Sequence, residues 1–594
     1  MAKLVPLQLN PDLGATANLL PAILPSFQDP DERPVFASIS PAARDQDERP
    51  ILAITPVDPD NILARSAKET GTYNIEQDLP NQILTAGLER GAEPGSRRMA
   101  SKSLDLEFPE PRTERSTTGG ATHIGIIDAG IAFWNRRFGS AFKSVGLFSL
   151  AQGQITPQLS SAEIANAVAI GGTLAGDREN RALMQQRFPA SVFASDDARP
   201  PLARPEVMSH GTAMADAILQ TAGPDPSLHA LELPRWVLRD AGGDRLRSIL
   251  SPAVLKLVKM IADKDPSSGP LRIKILLAYG FPGGSQRLDL TPVEMIHLRA
   301  VLNLLYAFSR IEVEIILRMG NHLQDQSHAV LPAADEPREA LRWRVLHHDH
   351  SSNTVEIFHR SAIPELAIRM PNGTEVVRPA GTTFSAIEED GALCALIYTN
   401  PVAADLWRTT VCLFPTASRG VGVRCPAGLW EVRVRDTDRL EAWVRRDDSG
   451  FENDRAAPFR QSWFEHPAYR PRDAQGLPGL DDTLHPASHV RRAGSVSLFA
   501  AHALADVGAP NPPGYLPFRT VGAQWQGGGR IETAVYSGQP QQTGIKRPHA
   551  EHIVDSPGPF SGTRLRGNGS PRLYRVSGTS VAAAFELGRR AAAP

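Results

Sequence analysis

Four short stretches place reactive side chains where a fold can use them. Near the carboxyl end, YRVSGTSVAAAFELG (574–588) sets Gly578, Thr579 and Ser580 directly before an alanine-rich helical run. A loop that becomes a helix at a serine lifts the hydroxyl to the helix N-terminus, where unpaired N–H groups and the positive dipole end can hold a developing negative charge. That setting suits a nucleophile, yet serine is also a preferred N-cap and needs no chemistry to stand there. In ATHIGIIDAGIAFW (121–134), Asp128 closes a short apolar run and reads either as a turn former or as a site carboxylate at a strand's carboxyl end. In EVMSHGTAMADAILQ (206–220), His210 opens a helical pattern that puts Met214, Ala217 and Ile218 on one face. A histidine there is often structural, but a neutral imidazole is also what a general base requires. In VEIILRMGN (313–321), Asn321 ends a strand-like run, where it can make an Asx turn or offer its amide to an oxyanion.

The segments between these residues alternate. PSLHALELP (226–234) is strand-like, SILSPAVLKLVKMIADK (248–264) is helical, and RIKILLAYG (272–280) is a buried strand running into PGG. VLNLLYAFSR (301–310) is a further helix and VEIILRMGN a further strand. Strand–helix alternation of this kind predicts an α/β fold with a parallel, doubly wound sheet. Its functional groups then gather at the carboxyl ends of the strands.

Asp128, His210, Asn321 and Ser580 stand in an order that resembles the subtilisin-like serine proteases (subtilases, peptidase family S8). GIIDAG matches the family's aspartate motif, SHGTAMA its histidine motif, RMGN its oxyanion asparagine and SGTSVAA its nucleophile. The resemblance implies a serine endopeptidase: Ser580 the nucleophile, His210 its general base, Asp128 the residue orienting His210, and Asn321 an oxyanion donor. It also implies that LAYGFPGG (277–284) is a substrate-binding edge to which an extended peptide adds as a strand, with Ala278, Tyr279, Gly280, Arg318, Met319 and Gly320 as substrate-binding residues. Ala129, Asp216 and Ala584 depart from the residues usual in the family, and Arg318 and Met319 replace small ones beside the primary pocket, so specificity does not carry over. The likeness covers about 120–330 and 488–590. Between them, LRWRVLHHDHSSNTVEIFH reads as strand, turn, strand, and LCALIYT, TTVCLFPTA, GLWEVRVR and RLEAWVRRDD continue short β segments. Regular short strands indicate a β-sandwich, and bacterial subtilases such as the Csp proteases are similar in carrying a jelly roll here.

The expected organisation is an amino-terminal extension (1–120), a first catalytic part (121–337), an inserted sandwich (338–450), and a connecting region with the second catalytic part (451–594). The extension holds a near repeat, DERPVFASISP from Asp31 and DERPILAITP from Asp47, followed by a linker-like tract at 91–103. Because the sequence ends at Pro594, soon after Ser580, the extension is expected to pack on the catalytic sheet as an inhibitory or scaffolding segment. Two other classes compete with a protease. A catalytically silent binding or regulatory protein on the same scaffold would have lost a triad residue, and none is lost. An α/β-hydrolase would need G-x-S-x-G and the order serine, acid, histidine.

With 594 residues, 41% hydrophobic and 22% charged, the chain has material for more than one core, and a net charge of -2 gives no general attraction for nucleic acid or anionic membranes. The expected partners are a protein or peptide substrate and a regulatory protein. Three cysteines without C-x-x-C spacing indicate no disulfide framework. No signal peptide or membrane-spanning run is read, so the expected location is cytoplasmic. HHDH (347–350) invites a metal reading, but one hairpin offers too few ligands for zinc and no calcium loop is recognisable. No cofactor and no metal site are expected.

Overall fold

A computed structural model describes residues 2–6, 8–9, 51–52 and most of 122–592. The principal exceptions within the last range are 149–157, 195–207, 238–243, 280–292, 334–338, 418–424, 446–460, 505–510 and 541–546. The linker at 91–103 and the first DERP copy lie outside the described residues.

The apolar runs around Asp128 become the middle of an eight-stranded sheet. Strand Thr122–Asp128 lies between Leu271–Leu277 and Ser227–Glu232, both parallel to it. Phe142–Leu147 continues the sheet beyond Ser227–Glu232. On the other side follow Ile311–Arg318 and Phe518–Gly527, again parallel. Phe518–Gly527 also pairs with Ala550–Asp555 in parallel and with Arg530–Thr533 in an antiparallel hairpin. In strand Thr122–Asp128 every residue from His123 to Asp128 is buried, which requires cover on both faces of the sheet. Helices His210–Thr221, Asp244–Ala262 and Thr579–Ala592 supply it, packing with Ile126, Ile273, Ile315 and Val521 in one core. The expected α/β sheet is therefore the scaffold of the four candidate residues.

The inserted domain is two antiparallel sheets around a second core that includes Trp343, Trp430, Phe464, Ile357, Leu396 and Val411. One sheet has five strands, ordered Glu375–Arg378, Leu366–Arg369, Gly428–Val434, Leu341–Val345, Trp463–Glu465. The alternating burial of Leu341–Val345 shows one face turned inward and one outward. The other sheet has eight, and its strand Asn353–His359 is buried throughout because Phe358, Trp443 and Leu406 make a small cluster apart from the main core.

The strand pairings of the insertion add three findings. The sandwich begins at His328–Leu331 and is completed by Val490–Arg491, wider than 338–450, because these two strands pair with each other and His328–Leu331 pairs with Leu440–Val444. The segment expected to be one hairpin contributes Leu341–Val345 to one sheet and Asn353–His359 to the other. Sheet changing suits a sandwich, where consecutive strands can cover opposite faces of one core. Finally, Ala2–Pro6 pairs with Phe384–Glu389 at the edge of the sandwich, so the described amino-terminal strand lies on the insertion and not on the catalytic sheet. All three cysteines are buried and none is in a disulfide. Among the described residues, no helix is long and apolar enough to cross a membrane.

Candidate active site

Three neighbouring strands of the parallel sheet end together at Asp128, Leu277 and Arg318, and two helices start beside them at His210 and Thr579. Asp128 is the last residue of its strand and fully buried. Its carboxylate accepts the Ala129 N–H at 2.7 Å and faces the His210 Nδ1 with both oxygens at 2.8 Å. With its proton on Nδ1 the imidazole donates to this carboxylate, and Nε2 then keeps its lone pair. The His210 side chain is 38% exposed, against 1% for Asp128, so the pair has a buried anchor and an open end. His210 is the first residue of its helix, which is tied to the loop after Asp128 by Gly211 N–H to Ala129 carbonyl (2.9 Å) and Thr212 N–H to Gly130 carbonyl (3.2 Å). The Thr212 hydroxyl oxygen in turn accepts the Ala132 N–H at 2.8 Å.

Ser580 is the second residue of helix Thr579–Ala592, which packs beside the His210 helix. Its hydroxyl donates to the Ala278 carbonyl at 3.2 Å. Ala278 directly follows Leu277, whose register partner is Ile127, so this bond places Ser580 over the strand end adjacent to Asp128. The Gly578 carbonyl accepts the N–H groups of Val581 and Ala582, closing the first turn of the helix.

Asn321 is oriented by Thr579. Its Oδ1 accepts both the Thr579 N–H at 2.9 Å and the Thr579 hydroxyl at 2.8 Å. The same hydroxyl oxygen accepts the Gly320 N–H at 3.1 Å. With Oδ1 committed to two donors, the amide cannot be turned over, and Nδ2 is the group left facing Gly578. Gly578 has φ 135°, and a Cβ there would stand 3.1 Å from that Nδ2. Glycine is therefore needed both for the backbone conformation and for the approach of Asn321.

The expected substrate-contacting residues are spread over different depths. Ala278 is buried and Tyr279 half-buried against the core, while Gly280 lies outside the described residues. Arg318 is half-exposed at its strand end. Met319 is buried with Val496, Ala500, Ala501 and Leu504, and its carbonyl accepts the Ser497 N–H at 2.6 Å. The Gly320 carbonyl accepts the Gly538 N–H at 2.9 Å.

Thr579 and Glu232 were not singled out by sequence reasoning. Thr579 was visible only as part of SGTS. Glu232 ends the strand beside Asp128 and is its register partner, an acid at a strand's carboxyl end hidden in an apolar context. It is fully buried, Oε1 accepts the Ser191 hydroxyl, and Oε2 has no hydrogen-bond partner. Burial pushes its carboxyl up to about 7, against the opposing pull of Ser191 and of the N–H groups of Ile131, Val192 and Gly130. Asp216, a departure noted in the sequence, lies away from this site: its Oδ2 accepts the Arg566 N–H at 3.0 Å and the Gln220 amide at 3.1 Å. The HHDH tract is a turn in which His348 adopts φ 54° and Asp349 is buried against Asn353; His350 lies outside the described residues.

No protein-family model matches the chain, and no curated protein matches it. Among solved structures it is similar to the Clostridium perfringens CspB protease, with 13% sequence identity over 80% of this chain and 81% of that one and a TM-score of 0.45.

Proposed function

We propose that this chain is a subtilisin-like serine endopeptidase that hydrolyses peptide bonds through an acyl-enzyme. The observation that carries the reading is the convergence, on adjacent strand ends and paired helix starts, of the Asp128–His210 pair, the Ser580 hydroxyl and an Asn321 amide fixed by Thr579. In the proposed reaction, Ser580 Oγ turns from the Ala278 carbonyl toward His210 Nε2, which takes its proton as the oxygen bonds to the scissile carbonyl carbon. Asp128 stabilises the imidazolium through Nδ1–H. Asn321 Nδ2 and the Ser580 N–H, one of the helix-start donors without an intrahelical acceptor, bind the oxyanion. The C–N bond then breaks as His210 returns the proton to the leaving amine, and water repeats the sequence to release the acid.

A second reading, a catalytically silent scaffold, is favoured by one specific observation: the Ser580 hydroxyl is donated to a backbone carbonyl. The two readings separate on cleavage of a denatured fluorogenic protein substrate by the wild type and by Ser580→Ala. Turnover by the first and none by the second supports the peptidase; equal, background-level signals from both support the silent scaffold.

A further inference from the structure

Away from the sheet that carries Ser580, three side chains from distant parts of the sequence meet on the inserted domain. Glu339 stands just before strand Leu341–Val345, His466 just after Trp463–Glu465, and His489 just before Val490–Arg491. The first two strands pair in the five-stranded sheet. The third belongs to the eight-stranded sheet, and the His489 carbonyl accepts the Val330 N–H there. The group therefore lies where the two sheets meet, on the path by which the chain leaves the insertion toward Ser497.

The geometry is that of a ligand set. Glu339 Oε1 is 3.1 Å from His466 Nε2, Glu339 Oε2 is 3.6 Å from His489 Nδ1, and one ligand atom from each residue lies within 4.8 Å of the others. Bonds of roughly 2.0–2.1 Å in a tetrahedral zinc shell set ligand atoms about 3.3 Å apart, so the side chains need only small adjustments. The two imidazoles are nearly buried, with side-chain exposures of 9% and 5%, while Glu339 opens to solvent at 58%. His489 turns its Nδ1 toward the Glu339 carboxylate, on the same side as the His466 Nε2. Its Nε2 is buried without a hydrogen-bond partner, so holding the ring proton there sacrifices no existing contact.

One contact opposes the assignment. His466 Nδ1 accepts the Ala468 N–H at 3.0 Å, which puts the ring proton on Nε2, the atom that faces Glu339. Coordination through Nε2 moves that proton to Nδ1 and turns the Ala468 N–H to water, which the half-exposed Ala468 can reach. One backbone hydrogen bond is exchanged for a metal–nitrogen bond, so the tautomer selects against weakly binding ions and leaves strong binders able to enter.

We propose that Glu339, His466 and His489 form a site for a divalent transition metal of the zinc type, with water completing the shell, and that the ion clasps the two sheets of the insertion. Two imidazoles and one carboxylate suit zinc and its first-row neighbours; calcium and magnesium prefer all-oxygen shells. The three cysteines are buried elsewhere and do not compete as ligands. The proposal is independent of the peptidase reading, since its test needs no catalysis.

The full chain, stripped with a chelator, is dialysed against zinc and its metal content and melting temperature are measured beside Glu339→Gln and His466→Gln. Glu339 is exposed, so its substitution leaves the core intact, and circular dichroism checks both variants. One zinc per chain is expected, with the melting temperature raised by zinc and unmoved by calcium, and affinity at least about tenfold weaker in each variant. No zinc uptake by the wild type, or unchanged affinity in either variant, overturns the proposal.

Discussion

Asn321 is held by its oxygen, and that leaves its nitrogen free to act: Thr579 supplies both donors to Oδ1. If Nδ2 serves the oxyanion, Asn321→Ala should lower kcat by about 100- to 1000-fold, a range known from a subtilisin, with little change in KM, because the lost bond strengthens only in the transition state. Steady-state kinetics on a peptide substrate check this, and an unchanged kcat would make Asn321 a turn residue. Glu232 makes a different prediction, about stability. Its carboxyl is raised to about 7 in the folded chain, so between about pH 4.5 and 7 the folded state binds more protons than the unfolded one. Stability from this group is therefore full below that window and falls as pH rises through it, by about 3 kcal/mol for a shift of this size. Urea denaturation of the wild type and Glu232→Gln at pH 5 and pH 8 should show the wild type losing about that much relative to the variant. Parallel losses in the two proteins would mean that Glu232 is ionised without penalty.

Between residues and domains stand two helices whose starts carry the proposed base and nucleophile. Their spacing is set where they cross: a Cβ on Gly588 would lie 2.1 Å from Thr221 Oγ1 and 2.4 Å from the Ile218 carbonyl. Gly588→Ala should force the helices apart and cost about 1–3 kcal/mol of stability, read by urea denaturation; a neutral change would contradict the close crossing. The Ser580 helix is also fixed to the sheet through charge. Burial by itself would raise the Glu314 carboxyl, but Arg519, Lys274 and Arg590 outweigh it and hold the group below the ordinary glutamate range. Parallel strands were legible in the sequence because buried strands read as continuous apolar runs, as HIGIID and VEIILR do. The candidate site residues could be singled out in the sequence because each follows such a run or opens a helical pattern. What the sequence concealed is tertiary. Nothing in LRWRVLHHDHSSNTVEIFH distinguishes a hairpin from two strands in different sheets, and nothing in SGTS states that Thr579 will turn an asparagine 258 positions away. Glu232 was hidden for the same reason, since an isolated acid after an apolar strand becomes informative only once its neighbour is seen to be Asp128.

At the scale of the whole molecule, two cores share one seam, and the seam runs beside Asn321. The chain leaves the parallel sheet at Arg318, enters the sandwich at His328 and returns through Val490–Arg491 to Ser497, whose N–H donates to the Met319 carbonyl. Gln324 bridges the same region, its amide donating to the carbonyls of Gly479 and Val535 at 2.8 and 3.0 Å. Entry and exit of the insertion are thus braced against the strand end that carries the proposed oxyanion donor, and the amino-terminal strand Ala2–Pro6 lengthens the insertion at its far edge. The central claim, that this assembly makes Ser580 a nucleophile, is tested most directly by intact-mass measurement after treatment with a fluorophosphonate, a reagent that phosphonylates activated serines by losing fluoride. One adduct per chain is expected on the wild type, mapped to Ser580 by peptide sequencing, with no adduct on Ser580→Ala and strongly slowed labelling of His210→Ala. A folded wild type that stays unmodified, or an adduct that persists in Ser580→Ala, would contradict the claim.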